Sequence, residues 1–411
     1  MLAPECTPRV ADTICVTRAA AIARAVRTNP QLQIAGAQAD QARARRVQGV
    51  ALPDPVFGAN LSNSKAPFGI GGYTGKVVGA SITVPFIDKF RLNGKIGSAG
   101  IQQSQFDSIT VRQAVASQTL QTYDSLLAAL RRQANLRQAD SLARDFAAKT
   151  RTRFDAGTVA RLDVVNADVA VGQVGNDLIA VERDIGNARS SLNRLLGRHL
   201  GAPIEAADSL GVPAPLPDLP ELEAAAFSRR SELASLRSQR AGAHAGTQLA
   251  KEFWLPDLTV GFSKDFLADP APGYFTTGIS MPIPLFYWNH SKGEIAVAKF
   301  RESELDATYR DAAAAVGQDV RTAYATAATS LRQTIYIRDQ LLPAARQAYR
   351  IAAASYGLGG LSALEVNSAR VALLSAESQY TNALAAANGA RAELERAIAA
   401  PLTSFGTGAA Q

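Results

Sequence analysis

The sequence repeats its own punctuation. At an offset of about 200 residues, Leu52-Pro53-Asp54 returns as Leu255-Pro256-Asp257 and Val84-Pro85-Phe86 returns as Ile283-Pro284-Leu285. Gly94-Lys95-Ile96 likewise returns as Gly293-Glu294-Ile295. Farther on, Phe154-Asp155-Ala156-Gly157 returns as Tyr356-Gly357-Leu358-Gly359, and Leu162-Asp163-Val164 as Leu364-Glu365-Val366. Such repetition means one structural plan built twice. The repeats occupy residues 17–196 and 221–400, after an N-terminal segment 1–16. Between them, residues 197–220 carry Pro203, Pro213, Pro215, Pro217 and Pro220, which cannot continue a helix and read as a connector. The Gly/Ala-rich residues 401–411 read as a flexible tail.

Each half reads as helix, two strands, very long helix, tight turn, long helix. Val171, Val174, Leu178, Val181, Ile185, Ala188, Leu192 and Leu195 step by three and four, the spacing of a coiled-coil seam. Leu120, Tyr123, Leu127 and Leu130 do the same on the preceding helix. At 1.5 Å per residue, Gly94 to Phe154 spans roughly 90 Å, against about 58 Å for Thr158 to Leu196 plus about 33 Å for Pro30 to Ala51. In the second half Gly293 to Tyr356 spans roughly 95 Å, against about 60 Å for Leu361 to Ala400 plus about 36 Å for Ser231 to Trp254. Two shorter helices placed end to end therefore match one long one, twice. Helices of this length belong to an extended rod or tube.

The strands alternate. Phe57, Ala59 and Leu61 oppose Gly58, Asn60 and Ser62, while Val78, Ala80, Ile82 and Val84 oppose Val77, Gly79, Ser81 and Thr83. Leu258, Val260 and Phe262 oppose Thr259, Gly261 and Ser263, and Phe275, Thr277, Ile279, Met281 and Ile283 oppose Tyr274, Thr276, Gly278 and Ser280. Alternation alone also fits a half-buried soluble sheet. Strand length and the end positions of Tyr73, Tyr274, Phe86, Phe286 and Trp288 suit a membrane barrel with aromatic girdles. Four strands cannot close a barrel, and an open edge cannot exist in lipid, so the edges must pair with other copies of the chain.

Composition removes several other classes. With 47% apolar and 19% charged residues the chain is not disordered, and no apolar run is long enough for a transmembrane helix. The net charge of +7 is scattered rather than gathered, which argues against nucleic acid. Gly357-Leu358-Gly359-Gly360 follows a helix and lacks a following Lys-Ser/Thr, so it is no phosphate loop, and Gly69-Ile70-Gly71-Gly72 fails the same test. His199, His244 and His290 lie far apart with no acid and nucleophile pattern, so no enzyme is expected. Asp54 and Asp257 read as structural turn residues that start the strands.

In this combination the chain resembles the TolC-type outer-membrane efflux factors, from about Thr17 to Ala400. The matching pieces are Arg27-Thr28-Asn29-Pro30-Gln31-Leu32, Leu-Pro-Asp before a strand in both halves, the strand-ending Val84-Pro85-Phe86 and Ile283-Pro284-Leu285, and an aromatic-x-x-Gly turn followed by Asp/Glu-Val in both halves. The resemblance implies a mainly α fold with a small β part: a homotrimer whose strands form a twelve-stranded outer-membrane barrel continued by a periplasmic helical barrel. It implies a passive exit duct docked onto a periplasmic adaptor (membrane fusion) protein and an inner-membrane efflux transporter, with outer-membrane lipid around it and no cofactor. The compact halves look most like the CzcC-type cation-efflux branch. Met1, Met281 and the dispersed histidines do not form the clustered ligands of a soft-metal relay, so no metal site is expected. Pro4 and Glu5 depart from the small residues that precede a lipidated cysteine, which leaves Cys6 as a lipid anchor or as the disulfide partner of Cys15.

By the same resemblance the two turns form the periplasmic tip. Gly157, Val159, Leu162 and Val164, with Gly359, Leu361, Leu364 and Val366, are the expected adaptor-docking residues. Tyr356, Glu365 and Asp163 are the expected gate, with Leu361 standing where relatives often carry an arginine that links neighbouring helices. The rival reading is a soluble coiled-coil scaffold, which would purify without detergent, whereas a channel sediments with outer membranes and runs as a trimer.

Overall fold

The computed structural model describes residues 13–63, 73–267, 273–283, 285–286, 291–358 and 360–405. Cys6, Gly69 to Gly72, Pro284, Trp288, His290, Gly359 and residues 406–411 lie outside the described residues. In chain order the elements are β1 (Ile14–Val16), α1 (Arg18–Thr28), α2 (Pro30–Gly49), β2 (Val56–Asn63), β3 (Tyr73–Val84), α3 (Ile87–Asp155) and α4 (Arg161–Leu195). They continue with β4 (Ile204–Ala206), α5 (Leu219–Arg229), α6 (Ser231–Lys251), β5 (Leu258–Leu267), β6 (Phe275–Ser280), α7 (Ser291–Tyr336), α8 (Leu342–Gly357) and α9 (Ala363–Ile398).

The repeated plan is present, with four differences from the sequence reading. First, α3 starts at Ile87 rather than near Gly94. Asp257 Oδ1 accepts the Phe86 N–H at 3.4 Å and pairs with Lys89 Nζ at 2.7 Å, so a Leu-Pro-Asp aspartate anchors the helix start beside the strand. Second, a π turn at Ile337–Leu341 separates α7 from α8. Pro343 offers no N–H and crowds the preceding turn, and the wider turn relieves this by letting the Leu342 N–H donate to the Ile337 carbonyl. Third, the stretch read as a connector supplies β4, which pairs in parallel with β1, while Pro220 sits in the first turn of α5 where its missing N–H is harmless. Fourth, Leu402 and Phe405 are buried, so the start of the supposed flexible tail packs down, with Arg229 lying 5.6 Å from the Phe405 ring.

The chain divides into two compact units, each drawing on both repeats. The first comprises Met1–Ile34, Ile109–Arg230 and Ala313–Gln411. Its core gathers Tyr123, Leu126 and Leu127 of α3 with Ile185 and Leu192 of α4, Ala21 and Ala25 of α1, Ile204 of β4 and Leu384 of α9. Val174, Val181, Ile185, Leu192 and Leu195 are buried as the seam predicts, and Ala167 and Ala170 extend it toward the start of α4. The residues just before α2 and α6 cap the C-terminal ends of α4 and α9. Asn29 Nδ2 donates to the Leu195 carbonyl at 3.1 Å and Thr28 Oγ1 to the Leu196 carbonyl at 2.8 Å. In the second repeat Arg230 Nη1 donates to the Ala397 carbonyl at 3.1 Å. Both junctions satisfy carbonyls that a helix end leaves unpaired.

The short strands are tied down by one polar cluster. The fully buried Tyr123 hydroxyl lies 2.7 Å from the Val16 carbonyl oxygen and 3.1 Å from Asp208 Oδ2. Burial pushes this phenol up to about 12, so it remains a donor. Beside it Arg18 pairs with Asp124 at 2.7 Å, and burial raises the Asp124 carboxyl despite the guanidinium. Cys15, in β1, is disulfide-bonded.

The second unit, Ala35–Ser108 and Ser231–Ala312, holds the antiparallel sheet β2-β3-β5-β6. Its helices are joined by Arg46 Nε to Ser98 Oγ at 3.1 Å, Ser235 Oγ to Asp107 at 2.7 Å and Arg240 to Asp306 at 2.5 Å. The sheet ends in β2 on one side and β6 on the other, each with a free edge among the described residues.

Tyr123→Phe is expected to destabilise the detergent-purified protein by about 1–3 kcal/mol, because the Asp208 N–H loses the hydroxyl that accepts it and the Val16 carbonyl keeps only the Ala207 N–H as donor. An unchanged thermal midpoint would show that the hydroxyl does not hold β1.

Candidate functional site

The sheet register sorts the strand residues into two faces. Phe57 pairs with Ala80 and Ala80 with Phe262; Ala59 pairs with Val78; Ile82 pairs with Val260 and Val260 with Ile279. One face is therefore mostly apolar, and Phe57, Leu61, Val78, Phe262 and Ile279 are exposed on it. The other face carries Gly58, Asn60, Ser81, Gly261, Ser263 and Gly278 with Val56 and Val77, and these line a hollow of about 340 Å³. The small, polar face is thus concave and the apolar face convex. Across the concave face the Thr83 and Thr259 hydroxyls meet at 2.8 Å. Buried soluble sheets hide their greasy face, whereas this one displays it on the outside of the curve, which is the arrangement of a barrel wall in lipid around an aqueous lumen.

The hairpin turns lie in the first unit. Gly157 has φ 73°, and the Thr158 N–H donates to the Arg153 carbonyl at 2.9 Å, closing α3 with a left-handed glycine. Asp163 Oδ2 accepts the Ala160 N–H at 3.2 Å and so caps α4. In the second turn Gly360 N–H donates to the Ser355 carbonyl at 2.8 Å. Glu365 accepts both the Ser362 N–H and its hydroxyl at 2.8 Å, and Ser362 Oγ accepts the Glu365 N–H, a complete capping box. These hydrogen bonds, the backbone one first, hold the exposed Glu365 carboxyl below its usual value. The cap is therefore present above the ordinary glutamate pKa and is lost only as pH falls through the lowered value, leaving Glu365 ionised in mild acid.

Tyr356 is 2% exposed and packs with Phe146, Ala167, Ala352, Ala363 and Val366. Its hydroxyl donates to Thr150 Oγ1 at 3.2 Å, the Arg153 guanidinium sits 4.4 Å over its ring, and Arg153 Nη1 donates to its carbonyl at 2.7 Å. Of the expected docking residues, Leu162 and Leu364 are exposed at 67% and 68%. Val159, Val164 and Leu361 are half-buried. Val366 is 1% exposed, which removes it from the docking surface: it points into the same cluster as Tyr356 and serves packing. Leu358, 90% exposed, is the most accessible apolar side chain at the turn and was not anticipated.

The outer membrane efflux protein profile matches residues 21–198 and 222–400, one segment per repeat. The chain belongs to this family. Among curated proteins it is 27% identical over 286 residues to the pyoverdine export outer membrane protein OpmQ of Pseudomonas aeruginosa, a match covering 65% of this chain and 57% of that relative's length. It is 21% identical over 388 residues to the cobalt-zinc-cadmium resistance protein CzcC of Cupriavidus metallidurans, covering 93% of this chain and 90% of that one. The solved outer-membrane channel OprN superposes with a TM-score of 0.79 at 17% identity, over 94% of this chain and 90% of that one, a likeness of fold. The protein is thus an outer-membrane efflux channel and not an enzyme.

One feature of this efflux protein escaped the sequence reading. Arg370 is 3% exposed and lines a cleft of about 510 Å³ between α3, α4 and α9, with Arg132, Asp177, Asp184 and Glu377. Its Nε and Nη2 donate to Asn367 Oδ1 at 3.3 and 2.9 Å, and burial lowers the guanidinium pKa. The signal lay in the repeat: counted from Leu162 and Leu364, Arg370 occupies the position of Asp168, which instead pairs at the surface with Arg151 at 3.1 Å. Among the described residues there is no cluster of three or more His, Cys, Asp or Glu able to hold a metal, and no helix long and apolar enough to cross a membrane.

The two sheet faces should respond differently to charge. Ile82→Arg or Val260→Arg places a cation on the convex face, where the cost is about 2–4 kcal/mol at the bilayer midplane and falls toward the interfaces. Ser81→Arg or Thr259→Arg should insert into outer membranes at parental levels; equal insertion defects at all four sites would reverse the face assignment.

Proposed function

We propose that this efflux channel works as one third of a passive exit duct, trimeric in the outer membrane and joined at its turns to a periplasmic adaptor and an inner-membrane transporter. The observation that supports this most directly is the sheet. Its convex side is apolar, its concave side small and polar, and its two edges, β2 and β6, run in opposite directions. β6 of one copy can therefore pair with β2 of the next in an antiparallel ladder, and three copies make twelve strands with no open edge. By name one relative exports pyoverdine and another confers cobalt, zinc and cadmium resistance. The lining of Gly, Ser, Thr and Asn suits solutes of either kind, small organics or cations, chosen by the transporter rather than the duct.

At the turns we assign two separate roles. Leu162, Leu364 and Leu358 form the apolar contact for the adaptor, on a surface shaped by Gly157, Val159, Val164 and Leu361, with Gly359 outside the described residues. Asp163 and Glu365 sit at the starts of α4 and α9, and three copies of Glu365 around a threefold axis make an acidic ring that concentrates cations at the constriction. Tyr356 acts from behind the ring, locking α8 onto α3 through Phe146, Thr150 and Arg153.

Leu162→Asp or Leu364→Asp should abolish efflux and adaptor crosslinking while leaving the trimer and membrane insertion intact; retained crosslinking would move the docking surface elsewhere. In planar bilayers Glu365→Gln should lower cation preference and weaken block by multivalent cations, and Tyr356→Phe should raise baseline conductance. Parental conductance and selectivity in both variants would place the constriction away from these residues.

A further inference from the structure

The apolar face of the sheet contains two lysines. Register places Lys76 of β3 opposite Leu61 of β2 and Phe266 of β5, and Lys264 of β5 opposite Val78 of β3 and Phe275 of β6. Both belong to the same convex face as Val78, Phe262 and Ile279. Lys264 Nζ lies 4.8 Å from the centroid of Phe266 and 5.1 Å from that of Phe275, and Phe275 in turn stacks on Phe262 at 5.4 Å. The ammonium is thus held on the convex side by aromatic rings. Neither lysine is ion-paired among the described residues.

Their position along the strands is as informative as their face. β3 and β5 adjoin α3 and α6 at Val84 and Leu258, and both lysines lie toward the opposite ends of their strands. At about 3.3 Å per residue and a tilt near 40°, Lys76 stands about 20 Å and Lys264 about 15 Å above the Val84–Leu258 level. That is the upper part of an apolar band about 25 Å tall, from which a lysine side chain can extend its ammonium to the headgroups. The helices continue on the periplasmic side, so the headgroups at this end are those of the outer leaflet.

We propose that Lys76 and Lys264, framed by Phe266 and Phe275, form a docking surface for the phosphate groups of the phosphorylated glycolipid in the outer leaflet. The rings take the first part of the acyl chains and the two ammoniums take a phosphate, a match of apolar area and charge. A trimer presents the surface three times. The proposal rests on the convex face lying in lipid.

The test uses the full-length trimer in detergent, bis-phosphorylated lipid A as probe, and native mass spectrometry to count retained lipid. The parent should retain lipid A in preference to phosphatidylglycerol. Lys76→Gln combined with Lys264→Gln should weaken retention about thirtyfold, the worth of two basic side chains at an anionic lipid surface, and the double Arg variant should restore it. Lipid A stripped of phosphate should bind the parent no better than the double Gln variant binds intact lipid A, and inorganic phosphate alone should not compete. Equal retention by the parent and the double Gln variant, or equal retention of phosphatidylglycerol, would overturn the proposal. Ile82→Trp separates this from the underlying reading: fluorescence quenched by brominated lipid keeps the convex face in the bilayer even if the lysines prove idle. Absence of quenching would remove both.

Discussion

Backbone hydrogen-bonding groups cannot be left open in hydrocarbon, and this constraint governs the sheet of this efflux protein. The single chain supplies β2-β3-β5-β6, a curved sheet whose edges are β2 and β6. Its apolar side faces outward and its lumen side is built mainly from Gly, Ser, Thr and Asn, with Val56 and Val77, so no soluble core covers the greasy face. The fold is consistent only if further copies close the ladder, which makes assembly a consequence of backbone chemistry rather than of any particular side-chain contact. Small residues on the concave face keep the lumen free of bulky side chains.

The helices solve a different problem, that of joining long segments without leaving helix ends unsatisfied. Asn29 and Arg230 stand immediately before α2 and α6 and reach the last carbonyls of α4 and α9. The two repeats thus use different side chains at equivalent places to satisfy the same groups. The arginine carries a charge into the junction, and its pairing with Asp319 at 3.3 Å gives that charge a partner. Where the second repeat meets Pro343, it widens one turn rather than breaking the helix. At the hairpin turns Asp163 and Glu365 stand at the N-termini of α4 and α9 and cap them.

Much of this was legible before any coordinates. The duplicated punctuation, the three-and-four seam, the strand alternation and the two turns all appear in the sequence and recur in the fold. The misses share a cause. Three-residue strands such as β1 and β4 have no periodicity to detect, and their pairing depends on Tyr123 and Asp208, far away along the chain. Val366 looked like a surface residue beside Glu365, but neighbouring helix positions point about 100° apart, and only packing decides which one is buried. The lysines of the convex face share the parity of its apolar residues, yet a basic residue breaks the hydrophobic pattern and hides its own membership.

The sequence by itself determined which residues share a strand face, where the chain must reverse, and that one plan is built twice, because each of these is a local property of spacing or of glycine and proline geometry. Only the tertiary structure decided which side of the sheet is concave, that Tyr356 is buried against Phe146 and Thr150, that Arg370 lines a cleft, and that Lys264 rests between Phe266 and Phe275. Those facts depend on sheet twist and on contacts between residues distant along the chain, and no periodicity within a single segment carries information about them.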